Sequence, residues 1–289
     1  MYYTAVTVVL FAAILECLII IVGNIFTIFV FWKNRNRLNR TTFLVINLAV
    51  ADLLVGIAEP ISIGAFTIPG HFEKKSKSAL DANPSSPFQI AVGFSSILFL
   101  TLISLERAYA LIWPLRHRVT STKAYIYSVA LAWIAAIFAG VGTLIATLHI
   151  FVFVYFKVAL VGAKVLCLVM ICVSYLAIRT RLRCRVPVTD GARNRQNEQQ
   201  QNAKLSRTLF IMITVSLVFW VPSLVVYSTL YLCTCIPLLV FKIFTTVFRL
   251  ANSLVNPIIY SFRIPMFREI FKRVKLCKQS KKYKINYRP

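Results

Sequence analysis

Apolar residues in this chain run in long uninterrupted blocks rather than at every second or every third to fourth position. Block length then decides the class, because a helix needs about 20 apolar residues to cross a bilayer core of about 30 Å. Seven blocks meet that length: Ala5–Trp32, Thr42–Phe66, Phe88–Trp113, Ala124–Leu148, Ile150–Ile178, Arg207–Leu232 and Ile236–Phe262. Each predicts a helix, since a segment surrounded by lipid must satisfy its own backbone N–H and C=O groups. The first block is too long for a signal peptide and lacks a cleavage pattern, so it is read as the first span. The expected architecture is an all-α, seven-transmembrane helix bundle over residues 1–262. An amphipathic helix and basic tail follow over 263–289.

Composition agrees with that class. The chain is 58% hydrophobic and 15% charged, against about 25% charged for a soluble domain. The net charge of +24 raises the question of nucleic acid, and the placement of the charge argues against it. Stretches 33–40, 114–123, 179–207 and 262–289 carry net +4, +3, +6 and +9, whereas 67–87, 149–157 and 231–242 carry +1 each. Basic stretches therefore follow every odd span, which is the positive-inside pattern. It predicts an N-terminus outside and a C-terminus in the cytoplasm, with the tail facing anionic membrane lipid.

After Phe262, the residues Phe267, Ile270, Phe271 and Val274 alternate with Arg268, Lys272, Arg273 and Lys275, as in a basic helix lying on the inner leaflet. Cys277 behind it is either a palmitoylation site or a free thiol. Cys17, Cys167 and Cys172 read as small core residues, and Cys233 and Cys235 stand where oxidation is feasible. Stretch 186–203 is a polar, Gln/Asn-rich linker.

Ionisable residues inside spans are costly and point to function. Asp52 lies deep in span two, and Asn24, Ser96, Asn252, Ser253 and Asn256 fall at similar depth. Oxygen-rich groups around a carboxylate suit a cation such as sodium; a water-filled network that only ties helices together is the alternative. Glu106–Arg107 closes span three, either as a boundary ion pair or as a guanidinium placed where a cytoplasmic partner enters. Pro222, two residues after Trp220, and Pro257, after Asn256, predict kinks in spans six and seven. These kinks act as hinges or merely shape packing.

Taken together, these residues resemble the rhodopsin-like (class A) G-protein-coupled receptors along the whole chain. The matching pieces are Gly23–Asn24, Asn47 to Asp52, Ser104 to Arg107 with Pro114–Leu115, Trp133, Tyr175, Trp220 to Pro222, and Asn252 to Tyr260, in order and each on its own span. The resemblance implies a sodium pocket at Asp52, Ser96, Asn252 and Ser253, lined by Asn24, Trp220 and Asn256. It makes Arg107 a switch that leaves Glu106 to meet the G protein, with Tyr175 and Tyr260 swinging toward it. It makes Trp220 a ligand sensor and seats Leu115 in a groove of the G protein. It also implies a plasma-membrane location, an extracellular ligand, arrestin beside the heterotrimeric G protein as a cytoplasmic partner, and no cofactor beyond an allosteric sodium ion.

The chain departs from the family in several places. The usual tyrosine after Glu-Arg is Ala108, and no acid lies near the inner end of span six to lock Arg107, which predicts signalling without ligand. The usual disulfide to the second outer loop has no cysteines, and Cys167 replaces the span-five proline. Those absences resemble the melanocortin, lipid and adenosine branch.

Gln89 stands where amine receptors carry aspartate, and Arg249–Leu250 where retinal proteins carry lysine. Three charges remain near the outer half: Glu16, Glu59 and Arg249. A buried charge calls for a partner, so either Glu59 pairs with Arg249 or Arg249 meets an acidic ligand. Phe66, Gln89, Ile90, Phe94, Trp220, Leu224, Tyr227, Thr246 and Arg249 form the expected, mostly apolar pocket. A transporter would call for internal repeats and a continuous polar path, and neither is visible. An enzyme would call for a metal or nucleophile constellation, and His71, His117 and His149 lie at loops or span ends without metal spacing. A receptor-like protein that has lost coupling is the closest rival.

Overall fold

A computed structural model describes residues 2–35, 40–67, 86–146, 150–183, 210–211, 214–222, 225, 238–263 and 267. Helices α1 (Tyr2–Lys33), α2 (Arg40–Thr67) and α3 (Ser86–Ile112) cover the first three predicted spans. A six-residue helix, α4 (Pro114–Val119), intervenes before α5 (Thr122–Ala146) and α6 (Ile150–Arg183). The sixth predicted span is helical at 214–222, here α7, and lies otherwise outside the described residues. The seventh is α8 (Leu238–Arg263). Among the described residues, five helices are long and apolar enough to cross a membrane by composition alone. Helix α8 has the length, 26 residues, but carries Lys242 and Arg249 in its sequence.

Boundaries shift by a few residues from expectation, and two of the shifts have a local cause. Span three stops one residue early because Trp113 adopts φ −123°, ψ 65°, which is not helical. Pro114 then opens α4 at its first turn, where a missing N–H costs nothing. Helix α6 runs to Arg183, five residues past the apolar block, since exposed arginines are good helix formers.

Helix α3 is central and packs on α2, α5 and α6, while α1 packs on α2 and α8. The burial pattern is that of a protein in lipid. Phe11, Leu18, Val22 and Phe29 of α1 are exposed, whereas Asn24, Asp52, Ser96, Asn252 and Asn256 are buried. Large apolar side chains cost nothing against acyl chains, so polar groups turn inward to find one another.

Small residues set the closest approach. Ala132, Ala136 and Ala139 of α5 are buried beside Gly140. A Cβ on Gly140 would lie 2.8 Å from the Pro87 carbonyl oxygen and 2.9 Å from the Ala91 Cβ of α3. Gly140→Leu should therefore push α3 and α5 apart and destabilise the bundle by about 1–3 kcal/mol. Gly162 has no neighbour within 4 Å of a Cβ, and Gly162→Leu should be neutral or better. Unfolding midpoints in detergent check the contrast, and equal effects at the two sites would discredit this packing account.

Candidate functional site

Three polar stations follow one another through the bundle. At its middle, Asp52 is fully buried on α2. The hydroxyls of Ser96 on α3 and Ser253 on α8 each donate to Asp52 Oδ1 at 2.8 Å, and Asn256 Nδ2 donates to Oδ2 at 2.7 Å. One carboxylate thus ties three helices. Charge-assisted bonds of this length are worth about 1.5–3 kcal/mol each, which offsets a desolvation cost on the order of several kcal/mol.

Asn24 and Asn252 do not bond to Asp52. Asn24 Nδ2 donates to the Ile20 carbonyl at 2.9 Å, and the Oδ1 atoms of both asparagines are buried without a donor. Gly23 lets α1 approach α8 at Pro257, for its Cβ would meet that ring at 3.1 Å.

The second station closes α3. Glu106 Oε1 lies 3.0 Å from His117 Nε2, and Oε2 accepts from the Thr41 hydroxyl at 3.0 Å. Arg107 Nε stands 2.9 Å from the same Oε2, although its N–H is not aimed well enough to count as a hydrogen bond. Arg40 donates to the His117 carbonyl at 2.7 Å, which fixes α4 against α2. The acid is held by more groups than the sequence suggested, so the latch expected to be weak has two unforeseen anchors, Thr41 and His117. Proline at position 114, just past the end of α3, was the available signal that His117 would fold back on a short helix.

Tyr175 stacks on Phe210 at 4.3 Å. Tyr260 is buried, with its hydroxyl unpartnered and its ring against Phe267. Neither tyrosine contacts Arg107 here. Phe267 is itself fully buried and meets the edges of Phe26 and Phe31 on α1. Leu115 is 78% exposed on α4, beside Pro114.

The third station lies toward the other end. Arg249 Nη2, half-buried, donates to the buried Glu59 Oε1 in an ion pair joining α8 to α2. Phe94 and Trp220 are buried, and Gln89, Ile90 and Thr246 half-buried. The side chain of Phe66, and the whole of Leu224, Tyr227, Cys233, Cys235 and Cys277, lie outside the described residues. One charge escaped the sequence reading. Lys164 on α6 places its Nζ 5.8 Å from the centre of the Trp220 ring. A signal existed, because Lys164 shares a helix face with the buried Cys167, Leu168 and Ile171.

A membrane bundle with a buried carboxylate at its centre, a Glu-Arg pair closing its third long helix and a proline inside its last span defines a seven-helix receptor. Residues 23–260 match the 7 transmembrane receptor (rhodopsin family), and the chain belongs to that family. It is 26% identical over 292 residues to somatostatin receptor type 4 of Rattus norvegicus, covering 91% of this chain and 71% of that protein. It is 25% identical over 290 residues to adenosine receptor A2a of Canis lupus familiaris and 24% to that of Homo sapiens, covering in each case 88% of this chain and 68% of the relative. These relatives are receptors and not enzymes, and this chain is a multi-pass membrane receptor of the same kind.

Proposed function

We propose that this receptor binds an extracellular ligand in the outer half of its bundle and activates a heterotrimeric G protein at its cytoplasmic face. The observation that carries this reading is the Glu106 cluster. A guanidinium held by a carboxylate that is itself bound by Thr41 and His117 is a two-position element. A partner that binds released Arg107 better than latched Arg107 shifts the balance by its differential affinity. Leu115, exposed next to that cluster, is an apolar contact for the same partner. The basic stretches after the odd spans support a cytoplasmic location for this end and for the C-terminus. Arrestin would dock on the same face, and the basic tail on anionic lipid, with Cys277 available for palmitoylation.

Asp52 with the Ser96 and Ser253 hydroxyl oxygens offers a hard-oxygen donor set for sodium. The orphaned Oδ1 atoms of Asn24 and Asn252 are two further acceptors without donors, as a cation or its water would require. Bound there, sodium would favour the latched form.

Nucleotide exchange on a panel of purified G proteins, with Arg107→Ala as control, tests the coupling. The native receptor should exceed the variant by at least about tenfold on one G protein, a difference of about 1.4 kcal/mol, and should exceed it somewhat even without ligand. The rival reading is a receptor-like protein that has lost coupling. Output equal to that of Arg107→Ala on every G protein would establish that rival.

A further inference from the structure

The described acids at the three stations have their partners. Glu59 holds Arg249, Glu106 holds Arg107 and His117, and Asp52 takes three neutral donors. Glu16 sits on α1, whose main packing partners are α2 and α8. Lys164 of α6 is left without an acid among the described residues. It lies on the inward stripe of α6, one turn before the buried Cys167 and Leu168, so it cannot be read as a lysine reaching for lipid headgroups. Fourteen residues separate it from Ile150 at the start of α6, which is about 21 Å of helix. Its one described contact, the Trp220 ring at 5.8 Å, is at the outer limit of about 6 Å for a cation–π interaction. Such a contact does not replace the hydration shell of an ammonium group. The Trp220 indole N–H beside it is also buried and unpartnered. Two neighbouring donors, one of them charged, therefore lack an acceptor at the same spot.

We propose that Lys164 anchors the acidic group of the receptor's ligand, and that this ligand is a carboxylic acid with an apolar body, entering acid first as far as Trp220. This rests on the receptor reading above for the existence of a ligand and its side of entry. A single negative charge suits the site better than a phosphate, because Arg249, another cation at this end, is committed to Glu59. The apolar body would face Ile90 and Phe94 of α3 and Leu160 and Val161 of α6, which belong to the cluster containing Trp220. Ligand binding and the state of Trp220 are then coupled through one ion pair.

Thermal unfolding of the purified full-length receptor tests the assignment without any G protein, so loss of coupling and loss of this site are separable. The probes are 4-phenylbutyrate, indole-3-acetate and dodecanoate, each beside its methyl ester. At least one acid should raise the midpoint by about 2–4 °C, its ester should not, and Lys164→Met should weaken that acid at least about tenfold. Without ligand, Lys164→Met should unfold at a higher temperature than the native receptor, because it removes an unpaired charge. A lower midpoint in that variant would make Lys164 a structural cation and overturn the proposal. So would the absence of any acid response, or equal responses in variant and native protein. Glu73 and Asp81, on the segment between α2 and α3, supply the internal rival. Destabilisation by Glu73→Gln/Asp81→Asn that vanishes in the Lys164→Met background would assign Lys164 to its own chain.

Discussion

Arg249→Met is expected to lower the stability of the bundle by about 3–5 kcal/mol, the cost of leaving one member of a buried ion pair alone. An exposed pair would lose about 1 kcal/mol or less, so the size of the loss separates the two situations. The reason lies in position: Glu59 is buried on α2 and Arg249 half-buried on α8, and removing the guanidinium strands a carboxylate inside the membrane. Glu59→Gln/Arg249→Met should recover most of the loss, since an amide beside a thioether is far cheaper to bury than a bare charge. The exchanged pair Glu59→Arg/Arg249→Glu should also recover stability, with some cost for the altered reach of each side chain. Unfolding free energies of the native receptor, Arg249→Met, Glu59→Gln and their double variant in one detergent give the coupling energy. A double variant no more stable than Arg249→Met would show that Arg249 acts through something other than Glu59, and the rival in which it meets an acidic ligand would gain.

Much of this arrangement was legible in the sequence. The lengths of the apolar blocks bound α1, α2, α3, α5 and α6 to within a few residues, because a lipid environment forces helix on any apolar segment of that length. The partners of Asp52 were also legible, since polar residues at equal depth on neighbouring spans have only one another to bond. What escaped is what depends on rotation or on local chain reversal. Depth alone placed Asn252, Ser253 and Asn256 together with Asp52, yet only the last two bond to it, and one residue is about 100° of helix. Likewise His117 reaches Glu106 only because α4 folds back at Trp113, and Thr41 because the start of α2 turns that face to α3, which no span count reveals. Lys164 was hidden because one cation among many apolar neighbours does not interrupt a block. Its helical face, not its hydropathy, marks it.

Asp52→Asn tests the centre of the bundle at two levels. The two serines could still donate to the amide oxygen, but the amide nitrogen would then face Asn256 Nδ2, a donor against a donor. One bond to a charged acceptor is lost and a buried polar group is left unsatisfied, a loss of about 1–3 kcal/mol without any cation. Sodium adds a second effect. If Asp52 supplies the only full negative charge at the site, raising sodium from about a tenth of its dissociation constant to about tenfold above it should stabilise the native receptor by roughly 1.4 kcal/mol. The Asp52→Asn variant should gain nothing over the same range with ionic strength held constant by N-methylglucamine. Sodium and N-methylglucamine acting alike on the native receptor would leave Asp52 as the hub of a hydrogen-bond network alone. An undiminished sodium response in the variant would move the cation to another site. Only the combination of a sodium-specific gain and its loss with the carboxylate ties the cation to the residue that joins α2, α3 and α8.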